Sequence, residues 1–133
     1  MSDIDLLDEL ENALGNYLDN VNGAQSVFIA TLDGHMLVEK NKMTHPVEQL
    51  VPMAGSVLGI SETLATQILQ QDLRDNIIIM DKHILGLLKM NDNEDSLFLG
   101  VICDRITNLG LMLNHGRLTT KDINKILEKQ NFF

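Results

Sequence analysis

Four histidines (His35, His45, His83 and His115), the single cysteine Cys103 and its neighbour Asp104 are the residues whose types most readily do acid-base, nucleophilic or metal chemistry. Their spacing argues against each. No two histidines stand four apart and no Cys-x-x-Cys pair occurs, so a zinc site has no local ligand set to start from. Cys103 closes an apolar run without a flanking feature that lowers its pKa, and it reads as a small buried hydrophobe. Neither Gly-x-x-x-x-Gly-Lys-Ser/Thr nor Gly-x-Gly-x-x-Gly is present, so no loop is built to cradle a phosphate. The expectation is a protein with no catalytic residue, no metal and no bound cofactor: not an enzyme.

Charge narrows the partners. Nineteen acidic residues against ten basic ones give a formal charge of -9, which opposes nucleic-acid phosphates and anionic lipid, and the linear sequence shows no Lys/Arg cluster. Nucleic acid is excluded on this reading. Trp is absent and aromatics are few, so Leu, Ile, Val and Met supply the core. The acidic start Met-Ser-Asp-Ile-Asp is unlike a secretory signal, Ser2 stands where myristoylation needs Gly, and no run reaches the ~20 apolar residues of a membrane span. A lone cysteine suits a reducing compartment, so a cytoplasmic protein without membrane insertion is expected.

The length of 133 residues fits one domain. From Ser2 to about Val21, apolar residues at spacings of three and four with acids between them predict an amphipathic helix, and Ser2 with Asp5 resembles a capping box. Gln25 to Thr31 is apolar on both alternating faces, Val27 and Ile29 on one and Phe28 and Ala30 on the other, as in a strand covered on both sides. Asp33-Gly34 predicts a two-residue hairpin turn into a strand from His35 to Lys40 with Met36 and Val38 on one face. A long helix is expected between Pro46 and Gln71, with a core stripe running from Val47 through Leu58 to Leu64, Ala65, Ile68 and Leu69. Pro52 should kink it or split off its first turn.

Three apolar runs follow, Asn76 to Met80, His83 to Met90 and Ser96 to Asp104, separated by Asp81-Lys82 and by the polar 91–95, which predicts an antiparallel meander. Asn108 to Leu113 suggests a short helix, and Thr119 to Gln130 a closing one. The fold class is therefore α/β (α+β) in three layers: a five-stranded, mainly antiparallel sheet with the long helix on one face and terminal helices on the other. Residues 119–133 form an appended C-terminal helix and tail on a single domain of residues 1–133. Of the methionines, Met43, Met53, Met80, Met90 and Met112 fall on different elements, which favours core filling for most. Arg105 and Arg117 serve solvation, or alternatively a partner carboxylate.

The outer side of the long helix stands out by what it lacks. Glu48, Pro52, Ser56, Gly59, Thr63, Thr66 and Gln70 occupy it, and between Gln49 and Gln71 the one charged residue is Glu62. A solvated helix usually carries Lys, Arg, Glu and Asp there. Gly55 and Gly59 each cost about 1 kcal/mol against Ala in a helix interior, and their spacing suits close approach of another backbone. Met53 and Ile60 widen the apolar surface. The uncharged run Asn76-Ile77-Ile78-Ile79-Met80, placed at a sheet edge, invites strand pairing. Pro52, Met53, Gly55, Ser56, Gly59, Ile60, Thr63 and Asn76 to Met80 are thus the candidate dimer or partner interface, with simple exposure of a Ser/Thr/Gln face as the alternative.

With these elements in order, the sequence resembles the Roadblock/LC7 superfamily over about residues 3–115. The local match is Gly23-Ala24-Gln25-Ser26-Val27-Phe28-Ile29-Ala30-Thr31-Leu32-Asp33-Gly34-His35-Met36-Leu37: strand, Asp-Gly turn, strand. The resemblance implies a homodimer through residues 46–71 and 76–80 that joins two five-stranded sheets, and a role as scaffold or regulator of a Ras-like small GTPase, possible modulation of its nucleotide cycle included. Pro52 and the C-terminal helix depart from the family's short pattern. The competing readings are a small-molecule sensory α/β domain and a motor-complex light-chain-type adaptor.

Overall fold

A computed structural model describes residues 3–90 and 97–129. The order is α1 (Asp3–Asn20), β1 (Ala24–Thr31), β2 (Met36–Asn41), α2 (Leu50–Thr63) continued by a π turn (Leu64–Ile68), β3 (Asp75–Ile79), β4 (His83–Lys89), β5 (Leu97–Asp104) and α3 (Leu109–Lys129). The connection 91–95, Ser2 of the suggested cap and the tail beyond Lys129 lie outside the described residues.

The strands form one sheet in the order β2-β1-β5-β4-β3, antiparallel at every junction. Strands with two apolar faces need two covering layers, and both are present. Toward α1 and α3 the sheet presents Val27, Ile29, Ile84, Leu88, Leu99 and Val101. Toward α2 it presents Phe28, Ala30, Leu85, Leu87, Phe98 and Ile102. Phe28 meets Phe98 edge to face at 6.1 Å, and its ring lies across Gly100, the residue it faces on β5. Tyr17 of α1 is buried and donates its hydroxyl to the Met112 carbonyl of α3 at 3.0 Å, which locks the two helices of that layer together.

Four local expectations change. The β1–β2 turn has three residues, not two: the Thr31 amide donates to the His35 carbonyl at 2.9 Å and Gly34 takes φ +101°, while Asp33 stays at negative φ. Met36 and Val38 do not share a face. The ladder steps from Ile29↔Val38 to Ala30↔Met36, so Leu37 is a bulge, and Met36 packs toward α2 while Val38 packs toward α1.

The C-terminal helices are one. Asn108 caps α3 by accepting the Leu111 amide on its side chain at 2.9 Å, and the helix runs unbroken past Thr119. Gly116, inside the helix, is the point where α3 presses on Leu88. Finally, α2 begins at Leu50 rather than Pro46. Residues 47–49 form a separate turn, closed by Leu50 N to Val47 O at 2.9 Å. Pro52 then falls in the first helical turn, where a missing N–H leaves no bond unmade.

Candidate functional site

The outer side of α2 is open. Pro52, Met53, Ser56, Gly59, Ile60 and Thr63 are all exposed, or nearly so, Met53 and Ile60 to 71 % each. The hydroxyls make little polar demand. Ser56 donates to the Pro52 carbonyl (3.1 Å), Thr63 to Gly59 (3.0 Å) and Thr66 to Glu62 (2.8 Å), each closing on its own helix. Glu62, the one charge in this stretch, is held by Lys89 at 2.6 Å. The face that reads as polar in sequence therefore offers methyl groups, a thioether and internally bonded hydroxyls.

Gly55 must be moved off this surface. It is buried on the opposite side of α2, against the Leu32 carbonyl of the β1–β2 turn. That turn and the helix interlock a second time where Pro52 packs on Gly34, whose added Cβ would stand 3.2 Å from Pro52 Cα. Gly59, in contrast, has nothing within 4 Å of the position a Cβ would take.

The core stripe also ends earlier than its periodicity suggests. Leu64, Ile68 and Leu69 are 54, 72 and 57 % exposed, and of the stripe beyond Leu58 Ala65 alone is buried. Leu64 follows regular α-helix and, six residues after Leu58, already points off the buried side. For Ile68 and Leu69 the cause is the π turn: Leu69 N bonds Leu64 O, Gln71 N bonds Ala65 O, and Gln70 leaves the helix at φ +56°. One extra residue per turn swings the last apolar side chains away from the sheet. These three residues belong with Met53 and Ile60 as exposed apolar surface.

β3 is an edge strand, as expected, with β4 on one side and no strand on the other among the described residues. Its side chains divide. Asn76 and Ile78 lie on the α2 side, where Asn76 donates to Ser61 Oγ at 2.7 Å. Ile77 is half-buried on the α1/α3 side, so Ile77 and Ile78 hold the strand in place and offer its backbone, while Ile79 and Met80 are exposed. Between α2 and β3 runs an apolar groove of about 400 Å³, walled by Leu50, Val57, Ile78 and Leu85 and rimmed by Met53 and Met80. A sensory pocket would need convergent polar groups; Gln49 is the one polar side chain here.

Of the chemically capable residues, the fold sets His83 opposite Asp104 across β4 and β5, while His35 lies in the β1–β2 turn and His115 on α3. His35 Nδ1 meets Asp33 at 3.0 Å in the exposed β1–β2 turn, and the Thr31 hydroxyl followed by His35 holds the Asp33 carboxyl below the usual range. Among the described residues no three His, Cys, Asp or Glu gather as a metal site. Cys103 is fully buried, and burial pushes its thiol up to about 11, with the Tyr17 phenol 4.0 Å away also raised chiefly by burial. The unfolded chain ionises the thiol near its ordinary 9.0, before the folded one can. Stability is therefore intact below about pH 9 and falls as pH rises toward 11. Denaturation midpoints measured across that window should decline, and Cys103→Ala should flatten the first part of the decline; a parallel curve for the variant would contradict it.

No family model and no curated protein sequence matches the chain. Solved structures do. MglB of Myxococcus xanthus superimposes with TM-score 0.81 at 18 % identity, over 92 % of this chain and 90 % of that one. The gliding protein MglB of Thermus thermophilus gives 0.80 at 15 %, over 93 and 92 %. A Roadblock/LC7 domain from Streptomyces avermitilis gives 0.78 at 12 %, over 87 and 95 %. The chain has the Roadblock/LC7 fold. At these identities the likeness is one of architecture. No described helix is long and apolar enough to cross a membrane.

Proposed function

We propose that this chain is a non-enzymatic, dimeric regulator or scaffold for a Ras-like small GTPase, working in the cytoplasm. The observation that carries the reading is the uncharged outer face of α2 lying beside the open edge of β3. Exposed Met53, Ile60 and Leu64 are apolar area that association removes from water, at roughly 25 cal/mol per Å² before the costs of binding. An edge strand without inward charge gives a second copy somewhere to pair.

Two β3 edges meeting antiparallel would make one ten-stranded sheet with both α2 helices on the same face, and that helix pair is the platform for the GTPase. The GTPase itself comes from the likeness to Roadblock/LC7 proteins. One solved MglB, 16 % identical to this chain, is described as having a tetrameric arrangement, in keeping with self-association in this fold. The segment from Gln49 to Gln71 contains no arginine or lysine. Any effect on hydrolysis therefore proceeds by ordering the GTPase's own switch segments and not by a catalytic finger.

The test uses the purified chain and Ras-like GTPases from the same organism. Each is loaded with GDP or a non-hydrolysable GTP analogue, assayed for binding, then assayed for GTP hydrolysis with and without this protein. Binding that depends on the nucleotide is the expected result. If no such GTPase binds in either state, the reading is wrong.

A further inference from the structure

The linear sequence shows no basic cluster, yet the fold builds one. Arg74 from the α2–β3 connection, Lys89 from the end of β4, and Arg117 and Lys121 from α3 line a single cleft of about 480 Å³. Four of the chain's ten basic residues thus meet in one place in a protein of net charge -9, while α1 carries six acids and no base. Two of the four are already engaged: Arg117 bonds Asp75 at 2.7 Å and Lys89 bonds Glu62 at 2.6 Å. Arg74 and Lys121 are exposed and have no ion-pair partner among the described residues. Both have firm roots, Arg74 because its carbonyl accepts the Lys89 amide at 3.1 Å, Lys121 because it stands on α3.

We propose that this cleft binds an acidic peptide segment of a partner protein, with Arg74 and Lys121 as its charge anchors. The charge balance selects the ligand. Carboxylates from Asp72 and Asp75 also line the cleft, so its positive surplus is local and fades over a Debye length of about 8 Å at physiological salt. Beyond that distance the overall -9 governs and repels an extended polyanion such as nucleic acid or an anionic membrane. A short acidic segment fits within the favourable range. The walls suit a peptide better than a free anion: the partly exposed Leu73 supplies apolar contact, and the Asn124 amide, without a partner among the described residues, adds a donor. The proposal does not depend on α2 or on self-association.

The test is fluorescence anisotropy of a labelled peptide, Gly-Asp-Glu-Leu-Glu-Asp-Leu-Glu-Gly, titrated with the full chain. Saturable binding that weakens with added salt is expected. Arg74→Glu/Lys121→Glu should weaken it at least tenfold with circular dichroism unchanged, and the milder Arg74→Ala/Lys121→Ala pair serves if the reversal unfolds. The control Lys42→Glu/Lys82→Glu removes the same charge from exposed positions outside the cleft and should leave binding intact. Absence of saturable binding, equal loss in the control, or capture of phosphatidylserine vesicles in preference to the peptide would each overturn the assignment.

Discussion

Gly55→Ala should destabilise the protein by about 1–3 kcal/mol, the usual cost of forcing extra atoms into a packed site. The added methyl would press on the Leu32 carbonyl oxygen and stand 3.1 Å from its carbon, and both belong to backbone that cannot rotate aside. Relief would require α2 to lift from the β1–β2 turn, which also costs the Pro52–Gly34 contact. Four residues on, Gly59→Ala should do the opposite. Its methyl meets nothing within 4 Å, so removing glycine's backbone entropy should stabilise by about 0.5–1 kcal/mol. Denaturant titrations at low protein concentration, where association does not contribute, measure both. Shifts of the same sign would mean that α2 does not sit on the turn as described.

The second large effect concerns association. Ile60→Asp places a charge at the centre of the face that a second copy is proposed to cover, and burying it unpaired should weaken the dimer by about 2 kcal/mol or more, at least thirtyfold. Ile60 touches none of the core, being 71 % exposed, so the monomer should fold as before. Light scattering at micromolar concentration should then fall from twice the chain mass to the single 14.9 kDa chain. Gly59→Ala gives an independent check, since a methyl that stabilises the isolated chain should hinder close approach of a partner helix. Unchanged mass for Ile60→Asp would remove α2 from the interface.

Much of the architecture was legible because burial on both sheet faces leaves unbroken apolar runs. Phe28 and Ala30 against Val27 and Ile29 divide between the two layers as alternation requires. Two of the misreadings involve a residue out of step. Leu37 bulges and puts Met36 and Val38 on opposite faces, and the π turn shifts Ile68 and Leu69 outward, because helical periodicity assumes a constant 3.6 residues per turn. Gly55 and Gly59 look alike in sequence; which one is buried depends on a turn more than twenty residues earlier. The solvation reading for Arg117 gave way to its pairing with Asp75, and the basic cleft was invisible for the same reason. Arg117 and Lys121 are one turn apart on α3, but Arg74 and Lys89 join them only in the folded chain.

The central junction of the sheet has a kinetic consequence. β1 and β2 form a hairpin, and β3, β4 and β5 a meander, each from neighbouring chain. The two pieces join only when residues 24–31 pair with residues 97–104. Closing that long loop is the entropic bottleneck, so folding should be slow for a chain this size, with the rate set by the β1–β5 seam. During synthesis the first hairpin leaves the ribosome with Phe28, Ile29 and an open edge exposed, and must stay soluble until nearly four fifths of the chain has been made. A chaperone that recognises nascent chains would find its longest opportunity there.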